Sequence, residues 1–192
     1  MHKLIVFATL IGLSRIAVSA PADRTYHFEL SGVTTKSGVD PELAAIAQDR
    51  VEQQVRKALA SHPRLLASVP GAPDPKTSPE AYRKFLIKKA ISGSYRVSVE
   101  VTEASQEIAL DEGRPNSRRA VVRVGIHVLG ETIPGQTIGF TGEGHATVKI
   151  EIGAKLRDRD RDFAWDSAAE TAIDDALKTC FAKLAPAGTR KR

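Results

Sequence analysis

The chain has 192 residues, 42% hydrophobic and 27% charged, with 28 Lys and Arg against 23 Asp and Glu for a formal net charge of +5. This agrees with an ordinary globular protein, and the charge excess is too small to imply a nucleic-acid surface. Cys180 is the one cysteine, so no internal disulfide forms and stability must come from a core.

Met1, His2 and Lys3 lead into the uncharged apolar run Leu4 to Leu13, and Val18-Ser19-Ala20 suits signal peptidase. The run is too short to span a bilayer permanently. Residues 1–20 therefore read as a secretory signal peptide, and the mature chain starts near Pro21, in the periplasm or outside the cell. The signal takes Lys3 and Arg15 with it, leaving 28 − 2 = 26 basic and 23 acidic residues, a charge of +3. The Ala-rich and Arg-rich composition favours a bacterial periplasm. No cysteine follows the apolar run to carry a lipid, and no later stretch is apolar enough to cross a membrane, so no membrane insertion is expected after cleavage.

Residues 21–186 read as one α/β domain, followed by a basic flexible tail at 187–192 that ends in Arg190-Lys191-Arg192. Tyr26, Phe28 and Leu30 alternate with His27 and Glu29, the period of a half-buried strand, and Ser31 to Val39 reads as a polar turn. Asp40-Pro41-Glu42 then supplies an N-cap, a proline at the first helical position and an acid at the positive end of the helix dipole. Leu43, Ala47, Val51, Val55 and Leu59 recur at helical spacing until Pro63. Leu65 to Val69 reads as a short edge strand and Pro70 to Pro75 as a surface loop.

Ser78-Pro79-Glu80 repeats the helix-start signature. Tyr82, Phe85, Leu86 and Ala90 face inward, while Arg83, Lys84, Lys88 and Lys89 make a basic outer face. Three alternating strands follow, around Tyr95–Thr102, Val121–Leu129 and Ala146–Ile152. Gln106 to Ser117 reads as the first connection, and Ile133-Pro134-Gly135-Gln136 as a type II turn in the second. Asp158 to Asp162 reads as a solvated charged linker. A closing helix is expected from the capping-box pair Ser167 and Glu170, along an alanine-rich stripe that includes Ala172, Ala176 and Cys180. The alanines would let this helix sit close to a sheet. The predicted fold class is therefore α/β (α+β), a single mixed, partly antiparallel sheet of about four to five strands with helices packed on one face.

The chemical motifs fail at their essential positions. Gly130 to Thr137 has P-loop spacing but puts Gln136 where lysine is required, and it leads into a strand. Asp158, Asp160 and Asp162 alternate like calcium ligands, yet Phe163 replaces the loop glycine and Ala169 the bidentate glutamate. His127 and His145 share the polar parity of their strands, with Glu143 a conceivable third ligand, but zinc needs three or four and no cysteine is near. His27 and His62 read as surface or boundary residues. Cys180 lies on an apolar stripe and reads as a small buried hydrophobe. No nucleophile elbow or paired zinc histidines occur, so no enzyme, catalytic residue, cofactor or metal is expected.

The first strand and turn Tyr26 to Val39, the helix Pro41 to Leu59 followed by the short strand Leu65 to Val69, the helix leading into Ile91-Ser92-Gly93-Ser94-Tyr95 at the start of a strand, and the alanine-rich last helix together resemble the periplasmic α/β domain shared by the TolB amino-terminal region and the curli-secretion (CsgG-like) lipoproteins. The resemblance covers almost the whole mature chain and is one of pattern. It implies a non-catalytic accessory or adaptor role in envelope assembly or secretion, acting through protein contacts. The chain departs from the lipoprotein members in having no lipid-bearing cysteine, no membrane-spanning insertion and no following propeller. Two functions follow as expectations: a secreted binding or scaffold domain that engages an envelope partner through a sheet edge, the basic helix face of Arg83, Lys84, Lys88 and Lys89, or the polar sheet face, or a ligand-binding or metal-dependent enzyme or binding domain built on the polar sheet face around His127, Glu143 and His145.

Overall fold

The computed structural model describes residues 24–111, 114–153 and 155–184. The signal peptide and the basic tail expected from the sequence lie outside these residues. The elements run β1 (Thr25–Thr35), α1 (Pro41–Ser61), β2 (Leu65–Leu66), α2 (Pro79–Lys88), β3 (Ile91–Asp111), β4 (Arg114–Thr132), β5 (Ile138–Ile152) and α3 (Asp158–Leu184). They form one mixed five-stranded sheet in the order β2-β1-β3-β4-β5. β2 and β3 flank β1 in parallel, whereas β3, β4 and β5 are an antiparallel meander. The expected α/β class with one mixed sheet is observed; α1 and α3 cover one face as expected, but α2 packs on the other, where Tyr82 meets Ser94.

The period-2 residues build the core. Tyr26, Phe28, Val97, Val99, Val101, Val122, Val124, Ile126 and Val128 point to one face and bury beneath α1 and α3. α1 starts where expected: the Asp40 carboxylate accepts from the Glu42 and Leu43 amides at 3.0 and 3.1 Å, behind Pro41. Its apolar stripe Ala47, Val51, Val55 and Leu59 lies against this face. α3 sits still closer, because small residues meet small residues. A Cβ on Gly142 would come 2.7 Å from the Ala176 carbonyl oxygen, and one on Gly144 would collide with the backbone of Ala172.

Several segments differ from the sequence reading, for physical reasons. The polar turn after Leu30 is strand as far as Thr35; a register shift between Leu30 and Gly32 reverses the parity, so that Val33 faces the core after Phe28 and Leu30. The same happens in β3. A shift between Val101 and Glu103 moves the inward positions from odd to even numbers, and the presumed loop from Gln106 onward pairs with β4, Gln106 opposite Val122 and Leu110 opposite Arg118. The supposed linker Asp158–Asp162 is the opening of α3, and Ser167 and Glu170 lie inside that helix. Arg50 of α1 fixes its start, reaching Asp162 at 3.1 Å and Asp166 at 3.2 Å. Trp165 donates to Gln106 Oε1 at 3.0 Å from the same turns. β2 is shorter than the edge strand expected over Leu65 to Val69. The β4–β5 turn is not type II: the Ile133–Pro134 peptide is cis, and the left-handed residue is Gln136 (φ 52°) in place of Gly135.

Candidate functional site

The face of the sheet opposite α1 and α3 is largely open, and α2 stands on one end of it. His27 and Ser94 alternate with Tyr26 and Tyr95, so their side chains emerge on this second face. Tyr82 of α2 meets them there. Its hydroxyl lies 2.8 Å from Ser94 Oγ, and Ser94 Oγ lies 2.8 Å from His27 Nδ1, while the tyrosine–histidine distance is 3.4 Å. All three side chains are buried. Tyr82, Leu86 and Ile91, with Val69, Phe85 and Ile133 at the margin, form a small second core around this polar clasp. Burial pushes the His27 imidazole below its ordinary value of 6.5, with Glu29 opposing.

The clasp corrects the reading of His27 as a surface or boundary residue without a partner. A serine beside a histidine has the makings of a nucleophile and base, but here Tyr82 closes over both and neither lines any of the cavities described below. The trio holds a helix to a sheet. His62, by contrast, is half-buried, its ring stacked on Phe181 with centroids 4.7 Å apart.

With Tyr82 and Leu86 turned inward, helical geometry turns the basic residues outward. Arg83, Lys84, Lys88 and Lys89 are all exposed, and none is in an ion pair among the described residues. Ile87, 78% exposed, stands among them. α2 ends at Ala90 in the left-handed conformation (φ 54°), its amide donating to the Ile87 carbonyl at 3.0 Å.

A cleft of about 350 Å³ opens between the first turns of α2, the loop before it and the β4–β5 turn. Lys76, Arg83 and Arg96 line it with a single carboxylate, Glu131, and with Pro75, Pro79 and Pro134. Arg96 stands in register between Glu29 and Glu131, with its Nε 3.6 Å from Glu29. Arg83 thus belongs both to the basic face expected from sequence and to the cleft. Lys76 and Arg96 were not singled out, because no local pattern tells that a loop lysine and a strand arginine will meet beside a helix.

The second candidate set lies farther along the same open face. His127 is opposite Glu143 across β4 and β5 and opposite Glu100 across β3 and β4, while His145 pairs with Gly125 one step along. His127, Glu143 and His145 share an open depression of about 340 Å³ with Lys36, Glu100 and Thr102. They line one surface, yet no three His, Cys, Asp or Glu side chains among the described residues come together as a metal-holding group. Cys180 is fully buried and desolvation pushes its thiol up to about 12, which leaves no thiolate for nucleophilic attack near neutral pH.

No family model matches this chain, and no curated protein matches it in sequence. Solved bacterial structures do resemble it. A DUF330 protein from Xanthomonas campestris aligns over 86% of this chain and 89% of its own at 10% identity and a TM-score of 0.45. A homologue of the neuraminyllactose-binding hemagglutinin from Helicobacter pylori aligns over 83% and 84% at 9% identity and a TM-score of 0.48. A minor lipoprotein from Acinetobacter baumannii aligns over 80% and 92% at 10% identity and a TM-score of 0.37. None of these three is a TolB or curli-secretion protein. No helix among the described residues is long and apolar enough to cross a membrane.

Proposed function

We propose that this is a secreted, non-catalytic binding or scaffold protein of the bacterial envelope, which engages an envelope or secretion protein partner through the outward face of α2. One observation supports the reading above the others: a short helix is stapled onto an otherwise open sheet face, and its cations Arg83, Lys84, Lys88 and Lys89 are exposed with no ion-pair partner among the described residues. Such a firmly held, predominantly basic surface, with Glu80 its one acid, attracts an acidic partner and orients its approach. The exposed Ile87 supplies an apolar anchor within the charged field.

In-cell crosslinking of the epitope-tagged protein, followed by mass spectrometry, tests this. The expected result is a reproducible envelope protein in the native sample that disappears with the triple variant Lys84→Glu/Lys88→Glu/Lys89→Glu, while secretion and circular dichroism stay unchanged. Undiminished capture by the triple variant would remove the α2 face from the function.

A further inference from the structure

The cleft at the base of α2 has features that the basic face alone does not explain. Its three cations come from three different elements: Lys76 from the preceding loop, Arg83 from α2 and Arg96 from β3. Convergence from separate elements is not what a generally basic, solvated helix face produces. The parts are also pre-positioned. The Lys76 amide donates to Asp74 Oδ1 at 2.8 Å and the Ser78 amide to the Asp74 carbonyl at 2.9 Å, which folds the loop against the helix start. Arg96 is held from one side by Glu29. α2 itself cannot swing freely, because Tyr82, one residue before Arg83, is fastened to Ser94.

The lining combines two chemistries: Pro75, Pro79, Pro134 and Ile133 offer apolar surface beside the charged Lys76, Arg83, Arg96 and Glu131. A volume of about 350 Å³ is at the small end of ligand sites, suited to one or two side chains of a bound segment. With Arg96 shared between Glu29 and Glu131, Lys76 and Arg83 leave the cleft with a small excess of positive charge at the α2 N-terminus, where Glu80 also stands.

We infer that this cleft is a recognition pocket for a carboxylate-bearing peptide segment, which inserts an Asp or Glu side chain between Lys76 and Arg83 while its backbone packs on the lining prolines. The inference rests on the proposed role of α2 as a docking face, and narrows it to one pocket and one ligand chemistry. Arg offers a planar donor pair to the carboxylate, and Lys76 closes from the loop side as a point charge. Glu131 opposes the ligand and so sets a limit on affinity.

The test is titration of the mature protein with a short Glu-rich synthetic peptide, by isothermal calorimetry or by amide chemical-shift perturbation, alongside inorganic phosphate and citrate at matched ionic strength. Peptide binding is expected to weaken about tenfold or more in the variant Lys76→Gln/Arg83→Gln. It should change less than about twofold in Lys84→Gln/Lys88→Gln, and strengthen in Glu131→Gln. All three variants change exposed or half-exposed side chains, and their melting temperatures check that the fold persists. Equal weakening in both double variants would overturn the pocket and leave a diffuse basic face, with the proposed function intact. Binding of phosphate or citrate without binding of peptide would overturn the peptide as ligand, and no binding of any probe would overturn the site. Loss of crosslinked partner in Lys84→Glu/Lys88→Glu/Lys89→Glu, together with unchanged capture in Lys76→Gln, would likewise place the function on α2 and not in the cleft.

Discussion

Gly144 of β5 lies so tightly against Ala172 of α3 that a Cβ on the glycine would collide with the alanine's carbonyl oxygen. The colliding atom is backbone within a 27-residue helix, so it cannot rotate aside as a side-chain tip would. Gly144→Ala should therefore lift α3 off the sheet locally and cost about 3 kcal/mol, a fall of roughly 6–12 °C in Tm for a domain of this size. Gly153→Ala is the matched control, since a Cβ there meets nothing within 4 Å. Thermal denaturation of the pair checks the expectation, and equal Tm values would show that the helix does not rest on the glycine.

Ala90 bears the opposite kind of misfit. It ends α2 in the left-handed region, where a side chain costs about 1 kcal/mol or more and glycine does not pay it. Part of the gain on Ala90→Gly is lost to the greater freedom of glycine in the unfolded chain. A net stabilisation of about 0.5 kcal/mol is expected, read as a rise in the urea midpoint with an unchanged slope. A lower midpoint would mean that the Ala90 methyl group supports the second core.

The sequence was legible where alternation or helical spacing ran unbroken. Tyr26 to Leu30, Tyr95 to Val101 and Val122 to Val128 are core strands as their parity indicated, and Asp40-Pro41 starts α1. Reading stopped at each register shift. Past Leu30 and past Val101 the inward residues change from one parity to the other, so a continuing strand looks like polar irregular chain. The acids opening α3 were misread for a related reason: their partner Arg50 lies more than a hundred residues away on α1. Of the candidate site, the basic residues of α2 were visible because Tyr82 and Leu86 fix which side faces in. The His27–Ser94–Tyr82 clasp and the cleft partners Lys76 and Arg96 depend on the position of α2 on the sheet, which no local pattern encodes.

The clasp should make stability depend on mildly acidic pH. Folding lowers the His27 pKa, with desolvation as the main cause, so the unfolded chain takes up a proton near pH 6.5 that the folded chain accepts only at lower pH. Stability is then fully present above about pH 6.5 and declines as pH falls toward the folded-state value. His62 is shifted in the same direction, by burial first and Arg64 second, and adds to the slope. Between about pH 7.5 and pH 5.5, above the range where most carboxylates titrate, Tm should fall in the native protein and fall less in His27→Gln. The comparison concerns slopes, so any constant loss from removing the clasp cancels. Parallel curves would show that His27 is protonated as readily inside the fold as outside it.

Metal dependence can be judged from the other histidine pair. His127 faces Glu143 across the strands and His145 lies on the same face two residues further along β5, but no three His, Cys, Asp or Glu side chains among the described residues converge as a metal-holding group. A built site saturated at one hundred times its dissociation constant would add about 2.7 kcal/mol, which for this size is a rise of roughly 5–10 °C in Tm. Zinc at about a hundred micromolar should instead move Tm by no more than about 1 °C, and EDTA should leave it unchanged. A rise of several degrees that vanishes in His127→Ala/His145→Ala would establish a metal site on the open face, and would require the side chains of β4 and β5 to rearrange around the ion.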